Sequence, residues 1–222
     1  MNKFINMLLL VIMFPTMLIT IWVGLDLPVG FLKTNGAALP YRDEIFLIDG
    51  LLLLVIILRR SIRRWMGMRV VAQQKKFKWN GPVSKSRKKR VVTYLMIEAA
   101  VMAFVAIALY TITSQAWLPA FACLFNVVDN IVFAIIGIKG DRYRVGLSSK
   151  ALIVADRDVS VLYFTGLRKV SQHQQSIYFD YIKGLQLSFP TDCIDENDRI
   201  AFFELLEAQL DRDRVFFSKT MT

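Results

Sequence analysis

Three carboxylic acids lie inside long apolar stretches of the sequence, where a charged side chain is costly. Asp49, Glu98 and Asp129 each stand eight to ten residues from the cations that end their stretch. At a helical rise of about 1.5 Å per residue, that is roughly 12 to 15 Å, near the midplane of a ~30 Å hydrocarbon core. An isolated acid at that depth costs about 2.5–3.5 kcal/mol. We therefore expect the three acids, with Asn126 and Asn130 beside Asp129, to face one another, a partner copy or water.

This intramembrane polar set is open to two interpretations. One is a polar site for an ion, a proton or a small ligand, because grouped acids inside a membrane commonly serve such sites. The other is hydrogen bonding between helices or between protomers. If the second apolar stretch begins late, Asp49 lies nearer the outer surface. No Lys or Arg falls within the core of an apolar stretch, so the sequence predicts protonated acids or an exogenous cation.

Cations are concentrated in one segment. Residues 59–90 hold 13 Lys or Arg and no Asp or Glu, in a chain of formal net charge +10. Each cation near an anionic leaflet contributes roughly 1 kcal/mol of attraction, and residues 59–69 have the apolar spacing of an interfacial helix. The side chains predicted to contact anionic lipid head groups are Arg59, Arg60, Arg63, Arg64, Trp65, Arg69, Lys88, Lys89 and Arg90. The alternative is that these charges only fix the topology.

The middle of this basic segment carries a turn signal. Asn80-Gly81-Pro82 predicts a break that leaves two short pieces. No nucleic-acid-binding module accompanies the charge, so we expect no nucleic acid partner.

The apolar stretches predict four membrane-spanning helices. A span needs about 20 mostly apolar residues; the chain is 55% hydrophobic and has a mean hydropathy of +0.44. The predicted transmembrane region, 1–138, has spans at 4–25, 42–58, 91–113 and 118–138, with a basic cytoplasmic loop at 59–90. The second span is the shortest, because only 14 apolar-rich residues, Ile45–Leu58, precede Arg59.

The distribution of cations predicts the orientation. The positive-inside rule puts the basic loop in the cytoplasm. The 26–44 loop contains only Lys33 and Arg42 as basic residues, and the tail begins with three cations, so the tail faces inward. We expect a multi-pass protein of the cell inner membrane with both termini in the cytoplasm.

Residues 139–222 read as a small cytoplasmic α+β domain. Alternating β-formers predict strands near 142–147, 151–155, 159–164, 170–178 and 184–189. Apolar residues at spacings of three and four then predict a helix at 197–210. The predicted fold class is a membrane α-helical protein with four transmembrane helices and a small domain made of a β-sheet and a C-terminal helix.

This domain resembles a known family. The elements that carry the likeness are Tyr143-Arg144-Val145, followed by Ala151–Val154, and the stretch Ser176–Leu185. Several strands followed by one amphipathic helix resembles the pleckstrin-homology-like domains attached to small bacterial membrane proteins. The resemblance implies a cytoplasmic scaffold that binds protein or lipid, and it implies no catalysis.

Motifs for catalysis and metal binding are not found in the sequence. No Walker, Rossmann, nucleophile-elbow or zincin pattern occurs. The two cysteines, Cys123 and Cys193, and the one histidine, His173, lack metal-ligand spacing. We therefore expect no metal and no cofactor.

Three functions follow from these observations. The leading hypothesis is a non-enzymatic membrane scaffold or sensor that forms a homo-oligomer, contacts anionic lipid and binds a cytoplasmic protein. The second is a small transport or ion-coupling component whose path is lined by Asp49, Glu98 and Asp129. The third is a membrane enzyme that acts on lipid.

Overall fold

Four long helices dominate the fold. The structure, a computed structural model, describes residues 2–30, 34–173, 175–210 and 215–217. The long helices are α1 (Asn2–Gly24), α2 (Arg42–Val71), α3 (Lys85–Ile112) and α4 (Trp117–Lys139). Between α1 and α2, two short antiparallel strands, β1 (Pro28–Val29) and β2 (Thr34–Asn35), form a hairpin.

In the described part of the chain, three helical segments are long and apolar enough to cross a membrane. They are Met7–Gly24, Lys85–Ile112 and Ser114–Lys139. This confirms the expectation of membrane-length apolar helices. Helix α2 does not belong to this set although it has 30 residues, because Asp49 and the arginines from Arg59 onward interrupt its apolar run.

The chain divides into two compact units. The first consists of Met1–Arg63 and Tyr94–Ala134, and the second of Arg64–Thr93 and Ile135–Thr222. Residues 59–90 are predicted to form a loop of the transmembrane region, whereas the structure groups residues 64–93 with the β-rich tail. The cause is a strand, Trp79–Pro82, that pairs with the first strand of the tail.

The first unit is a helical core of small and branched side chains. One cluster brings Phe46 of α2 together with Val105 and Leu109 of α3 and Cys123 of α4. Gly50 lets α2 approach α4 closely: a Cβ atom placed on it would lie 2.6 Å from Cγ of Leu118. Small residues at such crossings allow helix backbones to pack tightly.

In its described residues, the second unit contains two four-stranded sheets and a C-terminal helix. Its strands are β3 (Trp79–Pro82), β4 (Arg144–Leu147), β5 (Ala151–Ala155), β6 (Val159–Tyr163), β7 (Leu167–His173), β8 (Ser176–Tyr181), β9 (Gln186–Pro190) and β10 (Phe216–Phe217), and its helix is α5 (Arg199–Gln209). The sheet orders are β3-β4-β5-β6 and β10-β7-β8-β9. All pairings are antiparallel except that of β10 with β7. Phe202 of α5 packs on Trp79 and Phe189, with ring centroids 5.1 and 5.8 Å apart. The predicted β-sheet region with a C-terminal helix is therefore present.

Two local predictions for this unit are wrong. Asn80-Gly81-Pro82 lies within β3 and not in a turn; β3 is an edge strand, where a proline sacrifices no inner ladder bond. The single predicted strand 170–178 is two strands, because β7 ends at His173 and β8 begins at Ser176. Residues 211–214 and 218–222 of the predicted domain lie outside the described residues.

Candidate functional site

An ion pair joins α2 to α3 inside the first unit. Both terminal nitrogens of Arg60 donate to the carboxylate of Glu98, and the Nη2–Oε2 distance is 2.9 Å. The side chain of Arg60 is 6% exposed and that of Glu98 is 20% exposed. Asn126 of α4 donates to the same carboxylate at 3.4 Å. This two-pronged geometry is the strong form of an arginine–carboxylate interaction.

The expectation that the acids lack a basic partner is therefore wrong for Glu98. Arg60 follows the apolar run Ile45–Leu58 by only two residues. Helix α2 continues unbroken past that run. Arg60 lies on this continuation, at the same level as Glu98 of α3. The sequence marks the end of an apolar run, but that end is not the end of the helix.

A second polar contact lies beside the first. Ser61 Oγ of α2 donates to Asp129 Oδ1 of α4 at 2.8 Å, and both residues are buried. Asn130 is fully buried on the following position of α4. We refer to these side chains of α2, α3 and α4 as the polar cluster: Arg60, Ser61, Glu98, Asn126, Asp129 and Asn130. Four of the five residues in the predicted intramembrane set belong to it.

The fifth, Asp49, does not. Its carboxylate accepts a hydrogen bond from Thr16 Oγ1 of α1 at 3.2 Å. Asp49 stands eleven residues before Arg60 on α2, which corresponds to about 16 Å along a helix. The three acids therefore do not share one depth.

The polar cluster is buried within a single chain. Asn126, Asp129 and Asn130 are all buried by the helices of their own protomer. Burial of these groups requires no second copy of the chain, and homo-oligomerisation stays a prediction.

A groove adjoins the ion pair. It has a volume of about 520 Å³ and is lined by residues of α1, α2 and α3: Leu9, Leu10, Met13, Phe14, Met17, Arg60, Glu98, Val101, Met102 and Val105. Eight of these ten side chains are apolar, so Arg60 and Glu98 form the polar part of the wall. A mostly apolar concavity of a few hundred Å³ with a few convergent polar groups is the usual form of a ligand site.

The predicted lipid-contacting residues fall into three groups. Arg60 and Arg64 are buried, and Arg63, Trp65 and Lys88 are half-buried. The exposed members are Arg59, Arg69, Lys89 and Arg90. Lys88 pairs with Asp141 and Arg90 with Asp192. Contact of these residues with anionic lipid stays a prediction.

A network in the second unit ties the start of α3 to the sheets. Arg87 donates from Nε and Nη2 to Asp156 Oδ2 at 3.0 and 2.8 Å, and its Nη1 lies 3.6 Å from Asp192. Ser84 Oγ donates to the backbone oxygen of Asp192 at 2.6 Å. Asp156 lies between the predicted strands 151–155 and 159–164, and no pattern in the sequence marks it as a partner of Arg87. The excess of cations in residues 59–90 is the signal that some of them pair with acids elsewhere in the chain.

Two buried groups near this network have pKa values above their ordinary ones. The pKa of the Cys193 thiol is raised to about 12, mainly by burial and secondly by the nearby Asp156 carboxylate. Burial also raises the pKa of Tyr143 well above its ordinary value. Both groups therefore stay neutral well above pH 7. In the described part of the chain, no group of three or more His, Cys, Asp or Glu side chains could hold a metal ion.

Comparison with known proteins adds no information to this geometry. No family model, no curated protein and no solved structure matches the chain.

Proposed function

We propose that the chain is a four-span integral membrane protein that acts as a non-enzymatic scaffold or sensor, with a cytoplasmic β-rich unit as its interaction domain. One observation carries the proposal: the ends of three long helices are built into that unit. Residues 64–71 of α2, 85–93 of α3 and 135–139 of α4 all belong to it. A change in helix packing therefore reaches the β-rich unit through three unbroken helices.

The contacts between the helix ends and the rest of the second unit are close-packed. A side chain on Gly67 of α2 would collide with Val159 of β6, and one on Gly137 of α4 would collide with the ring of Tyr143. The α3 end is fixed by Arg87 and Ser84. Tight packing transmits displacement rather than absorbing it, which supports a role in signal transmission.

The exposed face of α2 supports a fourth span. This face is apolar well beyond Leu58, and the exposed side chains along it are Leu51, Val55, Leu58, Ile62, Met66 and Val70. Arg60 and Arg64 point away from it and are buried. Arg60 and Arg64 therefore lower the average hydropathy of the segment without covering the side that lipid would touch, whereas Arg59 is exposed on that side.

The polar cluster locates the inner boundary of this span. Arg60 lies level with Glu98, which is eight residues from Arg90, the last cation in the first part of α3. Counting about the same distance along α2, roughly 12 Å at 1.5 Å per residue, leads to the exposed Arg69. We propose that the second span runs from Ile45 to Arg69 rather than ending at residue 58.

The charge distribution supports the proposed orientation. The second unit contains most of the basic segment, and cytoplasmic segments next to spans are enriched in Lys and Arg. In this arrangement both termini and the β-rich unit face the cytoplasm. Contact with anionic head groups falls to the exposed cations Arg69, Lys89 and Arg90, because a span that ends at Arg69 puts Arg59 about 15 Å from that boundary.

Hydrogen exchange of the full-length protein in lipid nanodiscs tests the sensor role. Glu98→Gln removes the charge that Arg60 pairs with, and we expect faster amide exchange in β4 and β6 of the second unit as well as in α2 and α3. Thr111→Val, at an exposed position near the end of α3, is the control and should leave the β-rich unit unchanged. Faster exchange confined to the helices of the first unit would refute the sensor role.

The polar cluster also favours a second candidate, a transport or ion-coupling component. Buried acids, an arginine and amides on three helices are typical of proton and ion relays in membranes. This candidate predicts pH-dependent flux in proteoliposomes that falls when Glu98 or Asp129 is neutralised. Flux that is absent, or unchanged by both substitutions, would remove it.

A further inference from the structure

The groove between α1 and α3 has the features of a binding site for an amphiphile. Its wall combines a length of apolar surface with a single polar pair at one edge. Three of the lining side chains are methionines, Met13, Met17 and Met102. Methionine is flexible and polarisable, and it adapts to chains of irregular shape.

The groove opens on a surface that the proposed membrane topology covers with lipid. Leu10, Phe14 and Val101 line it and are also more than half exposed. A ligand would therefore enter sideways from the acyl region, not from water. This step rests on the proposed membrane insertion of the helices.

The polar part of the wall lies toward one end. Glu98 comes first on α3, and the apolar lining continues through Val101 and Met102 to Val105. In the proposed topology α3 begins at the cytoplasmic side, so the polar end faces inward, about 12 Å from Arg90, and the apolar end extends outward past the bilayer centre. A head group in this groove therefore lies deeper than the lipid phosphates.

The ion pair determines the head group. Glu98 is the more exposed partner, with 20% of its side chain accessible against 6% for Arg60, so an entering head group meets the carboxylate. The pair is neutral as a whole, and a third charge at this depth would carry a large desolvation penalty. A hydroxyl can donate to the carboxylate without adding charge.

We infer that the groove binds a neutral, hydroxyl-headed lipid, with the chain along α1 and α3 and the hydroxyl donating to Glu98. The occupant is the natural candidate for the signal that the proposed sensor detects. Free hydroxyl-headed single chains and the glycerol hydroxyl of a larger neutral lipid share this chemistry.

Photocrosslinking distinguishes the head groups. The full-length protein in phosphatidylcholine vesicles is labelled with a diazirine-bearing hexadecanol analogue, and the labelled peptides are mapped by mass spectrometry. We expect labels on Met13, Met17 and Met102, and about tenfold less labelling by the matching fatty acid and fatty amine. Equal labelling by all three head groups, or labels spread over every exposed helix face, would overturn the inference. Competition by unlabelled hexadecanol or by monoacylglycerol tells which source binds better.

Two variants make the result specific. Val101→Trp places a large ring in the groove from an exposed position and should abolish labelling of Met102. Ile107→Trp, on the same helix, exposed and outside the lining, should leave it unchanged. If Val101→Trp labels normally, the groove is not the site.

Failure of this inference is distinguishable from failure of the proposed function. A protein that fractionates with membranes but shows no selective labelling retains the proposed scaffold and loses only the ligand. A protein that does not insert into membranes loses both.

Discussion

At the scale of single residues, the largely buried carboxylate of Glu98 depends on a partner of opposite charge. It lies within the apolar α3, and its charge is balanced by Arg60 from another helix. Removing one partner of a buried pair leaves the other charge uncompensated, which typically costs about 3–5 kcal/mol. Replacing both partners by apolar side chains of similar size is often neutral or stabilising.

This asymmetry gives a prediction for the ion pair. We expect Glu98→Met to lower the free energy of unfolding by about 3 kcal/mol, and Arg60→Met with Glu98→Met to restore most of it. Unfolding in mixed micelles, followed by circular dichroism, measures both. If the double variant is as unstable as the sum of the two single variants, Arg60 and Glu98 do not act as a pair.

A second residue-scale prediction concerns Cys193. Its raised pKa, about 12 against an ordinary 9.0, lowers the thiolate fraction at pH 8 below that of an exposed thiol, and the protonated form reacts slowly. In a Cys123→Ala background, we expect negligible reaction with a thiol reagent at pH 8 in the folded protein and rapid reaction after unfolding. Rapid labelling of the folded protein would contradict the burial of Cys193.

The same shift has a consequence for stability. The unfolded chain releases the thiol proton above pH 9.0, whereas the folded chain holds it to about pH 12. The contribution of Cys193 is therefore complete below pH 9.0 and is lost as the pH rises through this window. Unfolding measured at pH 8 and pH 10, with Cys193→Ala as the control, should show a smaller decline in the variant.

At the scale of elements, α2 changes character along its length without a break. Its first part is an apolar run that ends at Leu58. In its second part Arg60 and Arg64 are buried, whereas Ile62 and Met66 are exposed. Helical periodicity allows this, because residues four apart share a face and neighbours do not. The helix therefore joins the two units while it keeps one apolar side.

The joint between α2 and β6 gives a prediction at this scale. Gly67→Ala adds a methyl group against Val159, and overpacking of this kind typically costs about 1–3 kcal/mol. We expect the β-rich unit to become more susceptible to proteolysis while the helices stay protected. Gly30→Ala is the control, because its added methyl group meets no atom within 4 Å. Equal effects of the two substitutions would rule out a packed joint.

At the scale of the whole molecule, topology is the property that the proposed function depends on most. If the second span ends near Arg69, positions before it lie in lipid and positions after α2 lie in the cytoplasm. A span that ended at residue 58 would instead put Ile62 and Met66 on an interfacial helix at the inner membrane surface.

Cysteine accessibility separates these arrangements. In a background without native cysteines, we expect Gln73→Cys to react with an impermeant maleimide only after the cells are opened. Met66→Cys should stay unreactive, because lipid excludes the reagent. Ala37→Cys, in the loop before α2, should react from outside intact cells. Labelling of Gln73→Cys from outside would reverse the proposed orientation.

Sequence reasoning is strongest where the signal is local. Apolar runs predict the long helices, and alternating β-formers after Arg142 predict strands that mostly lie where they are expected. It is weakest where the partner is remote. Nothing local indicates that Trp79–Pro82 completes a sheet with Arg144–Leu147, because that pairing joins residues more than 60 positions apart.

The sequence by itself determined which stretches are apolar, where the cations are concentrated and that a β-rich tail ends in a helix, because each of these depends on the properties of neighbouring residues. Only the tertiary structure decided that Arg60 neutralises Glu98, that Asp49 lies apart from the polar cluster, and that the basic segment forms part of the β-rich unit. These outcomes depend on which helix faces meet and on how far each helix continues. A buried charge needs an opposite charge beside it, and that partner can come from a remote part of the chain. The order of residues along the chain does not specify which residue it is.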